Sequence, residues 1–414
     1  MKRYAQVGTS YRGYMMYASN IVKEFGDCAE LVGLCDLNPK RAAVYNSELG
    51  TNIPIFTDFE EMIKTVKPDV VIVTTIDRWH HEYIIKAMEM GCDVISEKPL
   101  TIDAEKYKLI AEAKERTGRE LTVTFNLRFA PFPFRVKEII SEGVLGDILS
   151  VNFEWILDTV HGADYFRRWH RYKDNSGGLL VHKSTHHFDL MNWYLDQDPV
   201  AVNAFGGTKF YGKNGEKRGE KRGERCLTCP HKKTCEYYFD IESDDFMKKL
   251  YKDVEDVDGY YRDRCIFAED ITAEDSIALN IEYNKGTVVS YSLTAHTPYE
   301  GYRMCFNGTK GRMVVENFSR MIDTNHANEM TKKITIYNRL GEEIVYNYQT
   351  NDTKLGGHGG GDIRLLNMII RGGIEDPLGQ QAGLHEGAMS IMIGIAGNVS
   401  MKENRRVTIE ELMK

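Results

Sequence analysis

The sequence predicts an α/β chain in two parts: a parallel sheet wrapped by helices over residues 1–126, then an α+β domain with a largely antiparallel sheet over residues 127–414. Three observations predict this division. Apolar strands alternate with amphipathic helices through the first third, a glycine turn follows the first strand, and from about Asn126 the pattern changes to alternating runs divided by short turns. Continuous apolar strands separated by helices need a sheet covered on both faces, a Rossmann-type arrangement, whereas alternation with short turns gives an antiparallel sheet with one wetted face.

The elements follow in order. Tyr4 to Val7 reads as a first strand that opens into Gly8-Thr9-Ser10-Tyr11-Arg12-Gly13, and Leu31 to Asp36 reads as a second. Phe59, Met62, Ile63 and Val66 recur at helical spacing, with Asp58 offering a capping oxygen, Glu60 and Glu61 in the first turn and Pro68 as the stop. Asp69 to Thr75 is a longer strand, Glu82 to Met90 a helix closed by Gly91, and Cys92 to Ser96 a short buried strand ending at Glu97-Lys98-Pro99. Asp103 to Arg116 is a helix closed by Gly118, and Thr122 to Phe125 a last strand of this part. Beyond it, Phe134 to Gly143, Ser184 to Leu195 and Gly387 to Ser400 read as helices, and Thr287 to Leu293 and Ile334 to Tyr337 as strands.

At 414 residues the chain is long enough for a full core and an interdomain cleft, and its formal net charge of −8 gives no global reason to expect nucleic acid or an acidic membrane as partner. Met1-Lys2-Arg3 runs straight into the first strand and no apolar stretch reaches the ~20 residues of a membrane span, so a cytoplasmic protein without membrane attachment is the expectation. Cys28, Cys35, Cys92 and Cys305 read as buried thiols. Cys226-x-x-Cys229-Pro230, with Cys235 and the distant Cys265, lies in an insertion over about 209–268 and has the spacing of a four-thiolate structural zinc site. An iron–sulfur cluster and unligated thiols or disulfides are the other readings of that spacing. The neighbouring Lys213 to Arg225 run is interrupted by glutamates and reads as a solvated loop.

A strand that opens a glycine turn, followed by a later strand that ends in an ammonium, supplies the parts of a dinucleotide site. Gly8, Thr9, Ser10, Arg12 and Gly13 form the turn for the diphosphate, and serine at position 10 is small enough to replace the usual second glycine. Asp36 closes the second strand, where a carboxylate accepts ribose hydroxyls and repels a 2′-phosphate, so NAD is expected; Arg41 nearby keeps NADP open.

These motifs, with Thr74-Thr75 and His80, Asn126-Leu127-Arg128-Phe129, Gly143-Val144-Leu145-Gly146 and Gly308-Thr309-Lys310-Gly311, resemble the Gfo/Idh/MocA family, the glucose-fructose oxidoreductase and inositol dehydrogenase group, over nearly the whole chain. The resemblance implies an NAD(P)-dependent oxidoreductase that moves a hydride between nicotinamide and a hydroxyl or ketone of a sugar, cyclitol or glycoside. It extends the cofactor contacts to Thr74, Thr75, His80, Glu97 and Arg128, and places Lys98 between nicotinamide and substrate. The family's Asp-x-Gly-x-His stretch is matched by His182-Lys183-Ser184-Thr185-His186, which keeps the histidine and replaces the aspartate by His182.

Oxidising an alcohol requires a group that takes the hydroxyl proton, and the imidazole of His186 suits that work, with His182 as substrate contact or proton relay. Asp189, about one turn on, is either an orienting carboxylate or a helix-surface group, and His182 and His186 with His161 or His358 have the makings of a divalent metal site. Tyr165, Arg167, Arg168, Trp169 and His170 form an aromatic and basic loop suited to sugar rings, or else to packing; Arg168, Trp169 and His358 are the candidate substrate contacts beside the three catalytic candidates. A dimer or tetramer of the chain is expected. Two other functions fit the same motifs: a redox-neutral glycosidase or lyase, for which His182 leaves room, and a nonenzymatic NAD-binding sensor.

Overall fold

The structure is a computed structural model that describes residues 1–319, 331–348 and 357–414. Six parallel strands form the first sheet: β1 (Lys2–Val7), β2 (Ala29–Cys35), β3 (Ile55–Phe56), β4 (Val70–Val73), β5 (Asp93–Ser96) and β6 (Leu121–Val123), in the order β3-β2-β1-β4-β5-β6. The strand order reverses between β1 and β4, and in such sheets the crevice outside the carboxyl ends at that reversal is where ligands bind. The anticipated punctuation does its work: Asp58 accepts from the Glu61 N–H at 2.8 Å, and Asp103 caps a helix that ends at Gly118 with φ 64°.

The second sheet has nine strands among the described residues. They are β7 (Ile148–Asp158), β8 (Pro199–Gly207), β9 (Ser276–Tyr283), β10 (Val288–Thr297), β11 (Glu300–Gly308), β12 (Gly311–Ser319), β13 (Thr331–Asn338), β14 (Glu343–Tyr348) and β15 (Val407–Thr408). Its pairings are antiparallel except that β10 runs parallel to β7, with Val289 opposite Val151. The helices Thr185–Leu195 and Leu384–Glu403 pack on each other against this sheet. At Gly394 a Cβ would lie 2.5 Å from the Leu180 carbonyl oxygen, so only glycine lets the long helix seat the short helix Gly178–His182 that leads to the site. No helix among the described residues is long and apolar enough to cross a membrane.

Between β8 and β9 the chain leaves the sheet and returns to the first domain. The Lys249 ammonium reaches Glu48 (2.9 Å), Lys40 reaches Asp256 (2.7 Å), and the Phe246 ring packs on Tyr14 at 4.6 Å. The cysteine-bearing insertion is therefore a wall of the molecule's main cleft rather than a detached loop.

Candidate active site

A cleft of about 1380 Å³ runs from the β1 turn to the second domain, lined by Gly8, Asp36, Lys98, Arg168, Trp169, His182 and His186 among others. A shallower groove of about 550 Å³ on the open face of the second sheet holds none of these residues. At the cofactor end, Gly8 adopts φ 90°, and a Cβ there would lie 2.6 Å from the Thr74 carbonyl oxygen. Thr74 Oγ1 donates to the Gly8 carbonyl at 2.6 Å, which ties the turn to the end of β4. Ser10 Oγ accepts from the Gly13 N–H (3.1 Å) and caps the helical segment that follows, so serine in place of glycine serves the turn.

Asp36 accepts from Thr9 N (2.6 Å), Thr9 Oγ1 (2.7 Å) and Asn38 N (2.8 Å), which fixes its carboxylate beside the turn. Arg41 is buried and committed: it pairs with Asp258 at 2.7 Å, donates to the Leu250 carbonyl at 3.2 Å and stands 3.7 Å from Asp36. Arg12 is held by Glu97 (2.9 Å) and by both oxygens of Asp362 (2.7 and 3.2 Å), a brace between the two domains. Tyr251 of the insertion accepts from the Tyr11 N–H at 2.8 Å. The glycine turn, a carboxylate at the end of β2 and a cleft that continues past both fit a dinucleotide.

At the far end, Lys98 Nζ donates to the His182 carbonyl at 3.0 Å. Burial, with help from Lys183 and Arg12, pushes its ammonium down to about 8, against the pull of Asp77 and Glu97. His182 Nδ1 meets Asp77 Oδ2 at 2.5 Å, and both side chains are buried. Burial, then the Lys98 ammonium and His170, hold the His182 imidazole well below the usual histidine range, so the ring is neutral; burial raises the Asp77 carboxyl against the attraction of Lys98. His170 stacks on Trp169 at 3.6 Å and meets His182 edge-on at 4.1 Å. Arg168 pairs with Asp164 at 2.9 Å, and Asp164 also takes both arms of Arg262 at 2.6 and 3.0 Å.

Several sequence expectations are redistributed. Thr75 lines the cleft, as does His80, but the His80 ring nitrogens face the Pro99 carbonyl (2.8 Å) and the Thr75 carbonyl (3.2 Å), so the ring fixes the segment after Lys98. Arg128 does not line the cleft; it forms a buried two-pronged pair with Asp189 (2.8 and 2.6 Å) and donates to the Gly379 carbonyl (3.0 Å). That pairing corrects both residues, because Arg128 is no cofactor contact and Asp189 orients no histidine. Arg167 donates to the Tyr237 carbonyl and anchors the insertion. His358 belongs to the short helix Gly357–Gly360, and its side chain lies outside the described residues. Asp77 carries no signal in the sequence beyond its place after β4, where it is one polar residue among several.

The structure gives the expected zinc site no support. Cys226, Cys229, Cys235 and Cys265 line one small pocket, yet among the described residues no set of three or more His, Cys, Asp or Glu side chains is placed to hold a metal ion. All eight cysteines are free thiols. Cys229 Sγ instead accepts from the His231 N–H at 3.4 Å. Among the described residues His182, His186 and His161 form no such set either, and the side chain of His358 lies outside them.

Comparison with known proteins accords with this geometry. Residues 2–125 match the family model described as the oxidoreductase family's NAD-binding Rossmann fold, and residues 137–409 match its C-terminal alpha/beta domain. YteT of Bacillus subtilis (strain 168) is 36% identical over 438 residues, covering 100% of this chain and 99% of that one. Inositol 2-dehydrogenase of Rhizobium meliloti (strain 1021) is 27% identical over 176 residues, 42% of this chain and 50% of its own. In fold, the chain is similar to a levoglucosan dehydrogenase solved with NADH and levoglucosan, with a TM-score of 0.67, 18% identity and 99% of each chain covered. With both of the family's domain models matched in order along a chain that holds a dinucleotide turn and a buried lysine at one cleft, the chain belongs to the Gfo/Idh/MocA family and is an oxidoreductase built on that family's NAD-binding Rossmann domain.

Proposed function

We propose that the protein oxidises a secondary hydroxyl of a sugar or cyclitol with NAD+, or reduces the matching ketone. The observation that carries this reading is the meeting of Lys98 with the Asp77–His182 pair at the end of a cleft that begins on the β1 turn. Gly8, Thr9, Ser10 and Gly13 would hold the diphosphate, Asp36 the adenosine ribose, and Thr74, Thr75 and Glu97 the wall toward the nicotinamide. When bound, that cofactor supplies the acceptor for the two electrons and the hydrogen leaving the carbinol carbon.

The chain supplies the rest. With Asp77 ionised, His182 Nδ1–H donates to it and Nε2 carries the lone pair that takes the hydroxyl proton. The Lys98 ammonium donates to the same oxygen as it becomes an alkoxide and then a carbonyl. His186, the base expected from the sequence, yields that role to His182 in this reading; it lines the same cleft and would hold a neighbouring hydroxyl, while Arg168 and Trp169 would border the ring. The relatives named as dehydrogenases support net oxidation, and nothing in the site favours the redox-neutral cleavage or the sensor.

Purified protein with NAD+ and a panel of sugars and cyclitols is the direct test. Stoichiometric growth of NADH absorbance with at least one of them is expected; sugar release without that growth would replace the dehydrogenase by the cleaving enzyme.

Cofactor choice follows from Asp36. Its carboxylate faces the ribose position, and Arg41, the cation otherwise suited to a 2′-phosphate, is already bound by Asp258 and the Leu250 carbonyl. NAD+ is expected to bind more tightly than NADP+ by about 10-fold or more, and Asp36→Ala to shrink that ratio toward one. Equal affinities in the unaltered protein would remove Asp36 from cofactor selection.

A further inference from the structure

Lys183 is a buried cation of the cleft that the reaction above does not use. It stands between His182 and His186, is only 8% exposed, and lines the cleft. Among the described residues its ammonium makes no hydrogen bond; it faces the Trp155 ring, 5.3 Å from Nζ, and the Glu300 carboxylate attracts it without closing to an ion pair. An aromatic face offsets part of the cost of burying an ammonium, but a paired anion offsets far more.

The surrounding carboxylates are already engaged. Asp77 is held by His182, Glu300 takes His161 Nδ1 at 2.9 Å, and Asp164 is shared by the two guanidinium groups of Arg168 and Arg262. Four cations, Lys98, Lys183, Arg168 and Arg262, thus meet three carboxylates, Asp77, Glu300 and Asp164, which leaves one positive charge over at this end of the cleft. A neutral polyol would leave that surplus unanswered.

Resting on the dehydrogenase reading, we infer that the substrate is an acidic sugar, a ring with a carboxylate that docks on Lys183 while a hydroxyl of the same ring meets Lys98 and His182. A single ammonium against an indole face matches a monoanionic carboxylate. A phosphate dianion calls for forked guanidinium or backbone N–H donors, and Arg168 and Arg262 are spent on Asp164.

The test is calorimetric titration of the NAD+-loaded protein with D-glucuronate and D-glucose, D-galacturonate and D-galactose, and D-glucose 6-phosphate. At least one acid is expected to bind about 10- to 100-fold more tightly than its neutral parent. Lys183→Met, which keeps the stem against Trp155, should bring that acid down to the level of the parent, and Lys183→Arg should restore part of the difference. Equal affinity of acid and parent, no binding of either acid, a preference that survives Lys183→Met, or tighter binding of the phosphate would each overturn the assignment. NADH formed from neutral sugars alone would sink this inference while leaving the dehydrogenase intact, and sugar cleavage without NADH would remove the reading on which it rests.

Discussion

Lys98→Met is expected to lower kcat about 10²- to 10³-fold on the true substrate while NAD+ affinity changes by no more than a few-fold. The magnitude is that of removing one preorganised donor from an oxygen that gains negative charge in a water-poor site. Lys98 is suited to the task because its surroundings bring its titration close to neutral pH while leaving it charged there: burial pushes the ammonium down to about 8 even with Asp77 and Glu97 pulling the other way. Below that pH the group donates, and above it the charge is gone. The pH profile of kcat should therefore lose activity as pH rises through about 8. Lys98→Arg keeps its charge far above this range, so whatever rate it retains should show no such limb. A Lys98→Met enzyme within threefold of the unaltered one would take the lysine out of the chemistry.

How much of this was legible beforehand depended on whether a residue's partner lies close in sequence. Asp58, Asp103 and Gly118 act within one turn of themselves, and the sequence places them correctly. Lys98 announces itself because a buried strand delivers it to the crevice, and backbone topology does the rest. Asp189 and Arg128 read as site residues because each sits beside a motif, yet 61 positions separate them and only the tertiary fold joins them into a buried pair. Asp77 reaches His182 across 105 positions. The insertion was read by its cysteine spacing, while its contacts with the cofactor domain run through Phe246, Tyr251 and Asp258, which follow no periodicity. His182, which stands where the family pattern has an aspartate, thus meets a carboxylate that arrives from the end of β4.

Asp77→Asn should be at least as damaging as the loss of Lys98, with kcat down about 10²- to 10⁴-fold and KM moved far less. The amide fills the same space, so the argument rests on protons and not on packing. Asp77 as a carboxylate can only accept, which forces the proton onto His182 Nδ1 and leaves Nε2 free to take the substrate's proton. An asparagine amide can donate to Nδ1, which drives the ring proton to Nε2 and turns the base into a donor. The pH dependence has a definite sign. Burial, then Lys98 and His170, hold the imidazole well below the ordinary range, while burial raises the Asp77 carboxyl, so the acid limb of kcat marks protonation of the Asp77–His182 pair as pH falls and not that of a free imidazole. Nitrogen-15 NMR of the histidine rings reads the tautomer directly: an Nδ1-protonated His182 in the unaltered protein and an Nε2-protonated one in Asp77→Asn. A role confined to holding the fold would leave the tautomer and the acid limb where they are. The same tautomer in both proteins, or a variant that turns over normally, would show that Asp77 does not position the base.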